Sequence, residues 1–299
     1  MNRGDRREEI VRDNEDRRRF SSTLAEACAK TGWQIHAFCV MSNHFHIVVE
    51  TPRPNLAIGM QWLLGTYTQR FNARYGLRGH LFGGRYKALV VDGREPGYLR
   101  TVCDYVHLNP ARAVLVGANQ PLESFPWSSY GDYLKPPGKR PCWLRADRVL
   151  GEHGIQADTP RGRRAFARRV EAVRLEGLGN DQLNAIRRGW KLGAEDFVDW
   201  LIERVEMKPA EAHPATQRDE TEEQKAERII AQELERLDWS EAELTARRKG
   251  DPGKVSIARR LREETAVTLK WVAGRLHMGV WTHVSHQLYH HGRHRTVNT

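Results

Sequence analysis

Cysteine is scarce in this 299-residue chain: Cys28, Cys39, Cys103 and Cys142 stand alone, with no paired spacing among them. That scatter excludes a zinc knuckle and a disulfide framework, and it fits a reducing cytoplasm. No apolar run approaches the ~20 residues that a membrane-spanning helix needs. The opening residues are charged rather than apolar, so no secretory signal is expected. These absences predict a cytoplasmic protein without a membrane partner.

Positive charge is what the chain has in excess. It carries 48 Lys/Arg against 38 Asp/Glu, a net of +10, while 39% hydrophobic residues support a folded core. A polyanion, nucleic acid first, is the partner such a balance favours. Residues 1–150 hold 22 basic and 14 acidic residues, net +8. Residues 206–244 hold 5 and 12, net −7, and residues 246–299 hold 11 and 3, net +8. Two basic blocks around an acidic stretch suggest two nucleic-acid-facing modules joined by a tether. A basic protein with no such partner is the plainer alternative.

The most informative run is Met41-Ser42-Asn43-His44-Phe45-His46-Ile47-Val48-Val49-Glu50. Strand side chains alternate, so His44 and His46 share one face, about 7 Å apart along the strand, with Phe45 and Ile47 on the other. Two imidazoles on one face can hold a divalent metal if a third ligand joins them. A half-buried strand with two hydrogen-bonded histidines is the competing reading.

Around this run the pattern predicts a helix over 16–31 with Phe20, Leu24, Ala27 and Cys28 inward, then strands over 33–40 and 44–51. A long helix follows through Arg74, lined by Leu56, Met60, Leu63, Leu64, Tyr67 and Phe71. After a glycine-rich loop over 76–84, residues 85–92 look like another strand, and a helix runs from Pro96 to about Leu108. The stretch 114–141 is turn-rich, 159–205 has short helices, and 206–222 with Pro209 and Pro214 looks like a linker into a helix at 222–237. Segments 255–264, 269–278 and 280–290 form three short helices, with Gly279 in the last turn and Val280, Val284 and Leu288 on one face. In a basic context this is a helix-turn-helix pattern, although a plain three-helix cap has the same periodicity.

A second motif, Asp104-Tyr105-Val106-His107-Leu108-Asn109-Pro110-Ala111-Arg112-Ala113, puts Tyr105 and Asn109 four residues apart on one helix face. Asn109 can offer a carbonyl oxygen to a metal held by His44 and His46, with the Tyr105 phenol one turn away. This arrangement suits phosphoryl transfer, in which a metal polarises the phosphate and a tyrosine oxygen attacks it. A free phenol, with a pKa of about 10, is a weak nucleophile until cations favour its ionised form. Tyr98, seven residues earlier on nearly the same face, is a rival by geometry, and a core-edge role for Tyr105 is the structural alternative.

Taken together, these residues resemble the HUH transposases with a single catalytic tyrosine, especially the REP-associated branch. The likeness runs through Asn2-Arg3-Gly4, Asp16-Arg17, Met41 to Glu50, His80-Leu81-Phe82, Arg85-Tyr86-Lys87, Tyr105 to Ala113 and Trp127-Ser128-Ser129-Tyr130, about the first half of the chain. The resemblance implies an α+β fold, a ferredoxin-like antiparallel sheet with helices on one face, over residues 1–135. A helical extension (136–205), an acidic linker and helix (206–245) and a helix-turn-helix domain (246–299) follow. It implies Tyr105 as nucleophile, His44, His46 and Asn109 as ligands of Mg or Mn, and single-stranded and hairpin DNA as substrate. Cleavage would leave a 5′-phosphotyrosine and a free 3′-hydroxyl, in a monomer or homodimer. Arg85 and Lys87 lie where they could hold phosphates. The tail resembles the DNA-binding helix-turn-helix of the bacterial replication initiator, which points to Lys270, His283 and Ser285. The family usually has an apolar strand just before the Asn-Arg-Gly turn, where this sequence begins, so either the true start lies upstream or the core sheet lacks that strand. A DNA-binding relative without catalysis is the second reading, and a hydrolase that uses water in place of tyrosine is the third.

Overall fold

The apolar alternation on either side of Met41-Ser42-Asn43 closes into a hairpin, pinned where the Met41 amide donates to the His44 carbonyl at 2.9 Å. A computed structural model describes residues 1–206 and 221–293. In chain order its first part has β1 (Asn2–Arg3), α1 (Asn14–Thr31), β2 (Gln34–Val40), β3 (His44–Glu50), α2 (Leu56–Tyr75), β4 (Val90–Val91), α3 (Tyr98–His107), α4 (Asn109–Arg112), α5 (Tyr130–Leu134) and α6 (Asp147–Glu152). Next come α7 (Pro160–Glu176), α8 (Asn180–Arg188), β5 (Lys191–Leu192) and α9 (Phe197–Glu206). The remainder is α10 (Glu222–Leu237), α11 (Glu241–Ala246), α12 (Pro252–Glu264), α13 (Leu269–Arg275) and α14 (Trp281–Arg293). The class is α+β, with a small antiparallel sheet and many helices. Among the described residues no helix is long and apolar enough to cross a membrane.

The chain forms two compact units. The first comprises Met1–Ala25, Trp33–Glu50 and Thr66–Pro214. Its sheet has the order β1-β3-β2, all antiparallel, so the histidine strand is central. At the edge of this sheet Asn2 and Arg3, of the Asn-Arg-Gly turn itself, pair with Phe45 and His44. Gly4 then turns the chain where a Cβ would sit 2.1 Å from the Glu8 carbonyl oxygen, so no other residue fits.

Helices cover both faces of this sheet rather than one. Phe45 packs on Phe20 of α1 (centroids 4.8 Å apart) and on Phe82, while Tyr67 of α2 meets Phe20. On the opposite face α3 packs against β2 and β3. The reason lies in β3, where Phe45 is buried on one side and His46 and Val48 on the other, so each side needs a cover. Residues 85–92 do not make the expected strand. Only Val90 and Val91 do, and they pair in parallel with Lys191 and Leu192.

The outer edge of β2 is covered by later chain. Val40 donates to Trp127, Phe38 and Ser129 exchange backbone and hydroxyl bonds, and Ile35 bonds Trp143 and Arg145. The Trp127-Ser128-Ser129 run thus satisfies an edge that would otherwise present free donors and acceptors.

The second unit comprises Glu26–Gly32, Thr51–Gly65 and Ala215–Thr299. Residues 222–245, read from sequence as linker and helix, share one core with the segments after 246. Ile229, Ile230 and Leu234 of α10 pack with Leu244, Ile257, Leu261, Val272, Leu276, Met278 and Val284. Capping boxes at Thr221/Gln224 and Ser240/Glu243 start α10 and α11. At the end of α12, Lys30 Nζ donates to the carbonyls of Arg262 and Glu263, a cation on free helix-terminal acceptors. Between α13 and α14, Gly279 takes φ +85°, a conformation that favours glycine. Val280, expected on the core face, is 63% exposed because it lies in this turn before α14 begins. Pro209, Pro214 and residues 294–299 lie outside the described residues.

Candidate active site

Because β3 alternates, His44 and His46 emerge on the face that α3 covers, with ring centroids 5.1 Å apart and planes near perpendicular. Tyr105 of α3 comes down on His46, centroid to centroid 5.7 Å. The helix therefore brings the phenol to the paired imidazoles, as the two motifs imply. Tyr98 has no ring contact with either histidine among the described residues.

The histidines are held neutral. Burial, followed by the Arg3 charge, lowers His44 to about 4, and burial followed by the neighbouring His44 lowers His46 to about 3. At neutral pH both rings therefore keep a nitrogen lone pair for a metal.

Asn43 decides which nitrogen of His44 that is. Its Nδ2 donates to the Arg7 carbonyl at 3.2 Å, which turns its Oδ1 toward His44 Nδ1 at 2.7 Å. An amide oxygen only accepts, so Nδ1 carries the proton and Nε2 is left free to ligate. His46 makes no hydrogen bond through its ring among the described residues.

Asn109 is buried, and its Nδ2 donates to the Tyr105 carbonyl at 2.9 Å. That bond fixes the amide and leaves Oδ1 as its open acceptor. Among the described residues no three His, Cys, Asp or Glu side chains gather at one point. The donor set fits a divalent cation, and two imidazoles suit Mn better than the oxygen-preferring Mg.

Sequence reasoning missed Asn43 and Arg112. The Arg112 guanidinium lies 4.5 Å from the centroid of the Tyr105 ring, stacked on its face. Its signal was present, since Arg112 is seven residues after Tyr105, two helical turns on. His107, in the same motif, faces away: it bonds Ser129 Oγ at 2.9 Å and packs on Tyr133 and Phe166. Arg85 and Lys87 are exposed, with the Lys87 backbone exchanging hydrogen bonds with Met1. In the second unit Lys270 and Ser285 are exposed, while His283 is half-buried with its Nε2 enclosed and unbonded.

Just past the motif, Val114 sits at φ +58° with 83% of its surface exposed. A β-branched residue in the left-handed region is strained and here gains no packing in return. Val114→Gly is expected to stabilise the fold by about 1 kcal/mol, the strain relieved outweighing glycine's extra unfolded-state entropy. Thermal unfolding reads it as a rise of a few degrees; a fall would contradict it.

Residues 1–109 match the family model described as Transposase IS200 like. The match supports a transposase of the Y1 family for this part of the chain, and with it a DNA-processing role. No curated protein and no solved structure matches the chain.

Proposed function

We propose that this protein is a metal-dependent tyrosine transposase that nicks and rejoins single-stranded hairpin DNA through a 5′-phosphotyrosine. The observation that carries the reading is the Tyr105 ring against His46, itself paired with His44. His44 and His46 would hold the metal with the Asn109 amide oxygen. When bound, Mn or Mg would polarise the scissile phosphate and offset its developing charge. Tyr105 supplies the attacking oxygen. Its bond to phosphorus forms as the bond to the 3′ oxygen breaks; the phenol loses its proton and the 3′ oxygen gains one. One ester replaces another, so the reverse step rejoins strands without an outside energy source. Arg112, on the face of the phenol ring, stabilises negative charge there and holds the ring in place.

In the second unit, α13 and α14 are the helix-turn-helix, with Lys270 and Ser285 toward DNA. The positive-φ turn at Gly279 and the shared core of α12, α13 and α14 support this part. His283 has the weaker claim, since its Nε2 is enclosed.

The test is incubation with end-labelled single-stranded hairpins and Mn. A denaturant-resistant protein–DNA adduct is the expected product. Cleavage that leaves a free 5′-phosphate with no adduct would mean that water attacks. A shifted hairpin that is never cut would mean binding alone.

A further inference from the structure

Helix α7 lies beyond the residues that the family model matches, and six of its 17 residues are arginine. They sort into two sets. Arg163 pairs with Asp158 at 2.7 Å, Arg174 bonds Glu171 and the carbonyls of Gly117 and Gln120, and Arg169 lies beside Gly154. Arg161, Arg164 and Arg168 are exposed and have no ion-pair or hydrogen-bond partner among the described residues; Arg169 is likewise exposed and unbonded but is turned toward Gly154, away from the other three.

These three fall within roughly a 60° arc of the helix and about 10 Å along its axis. Phe166 and Val170, fully buried, occupy the opposite side. The helix is thus anchored through one face and presents guanidinium groups from the other. Several helical arginines elsewhere are paired: Arg18 and Arg19 with Glu15, Arg260 with Glu264, Arg275 with Glu227 and Glu241. Exposed Arg100, Arg187 and Arg188 have no side-chain ion pair or hydrogen bond among the described residues, but they do not form a row of three on one helix face. On α7 the spacing i, i+3, i+7 instead sets like charges together, which costs the helix stability. An unpaired row of arginines at that spacing is suited to a row of phosphates.

We infer that the Arg161, Arg164 and Arg168 face of α7 grips the phosphate backbone of duplex DNA, such as a hairpin stem; this rests on the DNA-processing reading above. No aromatic residue lies on the face, whereas single-strand grooves stack bases on aromatic rings. A membrane-surface helix would keep its apolar side for lipid, and here Phe166 and Val170 are spent on the protein core. Charge complementarity without base contacts makes the grip independent of sequence.

The experiment measures equilibrium binding of the full chain to a fluorescent hairpin of arbitrary stem sequence over a KCl series. In the R161Q/R164Q/R168Q variant the slope of log affinity against log salt should fall by about 0.9 for each arginine removed, with about ten-fold weaker binding at moderate salt. The matching triple lysine variant should keep the slope, because it counts charges. Single R164Q, expected to lose about 0.9, carries the test if the triple variant is poorly folded. An unchanged slope, a loss as large in the lysine variant, a loss seen only with a dT oligomer or phosphatidylserine vesicles, or no stem binding by the parent chain would each overturn the inference. Because binding and not strand cleavage is read, a chain that grips the stem but forms no adduct defeats the nickase reading and leaves this one standing.

Discussion

Tyr105→Phe is expected to abolish covalent capture of single-stranded DNA, a loss on the order of 10³-fold or more, as for removal of other catalytic nucleophiles. Phenylalanine keeps the ring that meets His46 and lies under Arg112, so folding and DNA binding should be preserved. Only the proposed attacking oxygen disappears. Tyr98→Phe is the control: Tyr98 starts α3 and lies about 10 Å earlier along the helix. It should form adduct at close to the parent rate. Adduct yield on a denaturing gel decides the matter, and equal loss in both variants, or loss in neither, removes Tyr105 from its role.

The second large effect is expected at the imidazoles. His46→Gln or His44→Gln should reduce Mn-dependent cleavage by about 10²-fold or more, because two ligands cannot be replaced by one. Asn43→Ala leaves both proposed ligands present and removes only the acceptor that fixes the His44 tautomer. It should weaken Mn affinity by about 10- to 100-fold, partly recovered at high Mn. Titration of Mn against binding and against adduct yield separates these cases. An Asn43→Ala protein with an unaltered Mn requirement would exclude Nε2 of His44 as the ligating atom.

The hairpin and its histidines were legible because a two-residue period is local, and β2, β3, α1 and α2 fall close to where that pattern puts them. Tyr105 and Asn109 were legible for the same reason, through helical spacing. What escaped depends on distant partners. Val90 and Val91 pair with residues a hundred positions later, and nothing near residue 85 announces that. The short strand at Asn2–Arg3 exists because β3 offers it an edge, and two residues carry no periodicity that would announce it. Asn43 looked like a turn residue, and its part in orienting His44 becomes visible only once the Arg7 carbonyl is placed.

The bond that the Phe38 amide donates to the Ser129 hydroxyl spans 91 positions of the chain, and Arg145 reaches Ile35 across still more. During synthesis β2 therefore leaves the ribosome with one flank bare and must wait for these late arrivals. At a translation rate of about 5–20 residues per second that wait lasts seconds. The histidine pair is made early and finished late, which makes the half-built hairpin the stage at which a nascent chain is most prone to join a neighbour's strand.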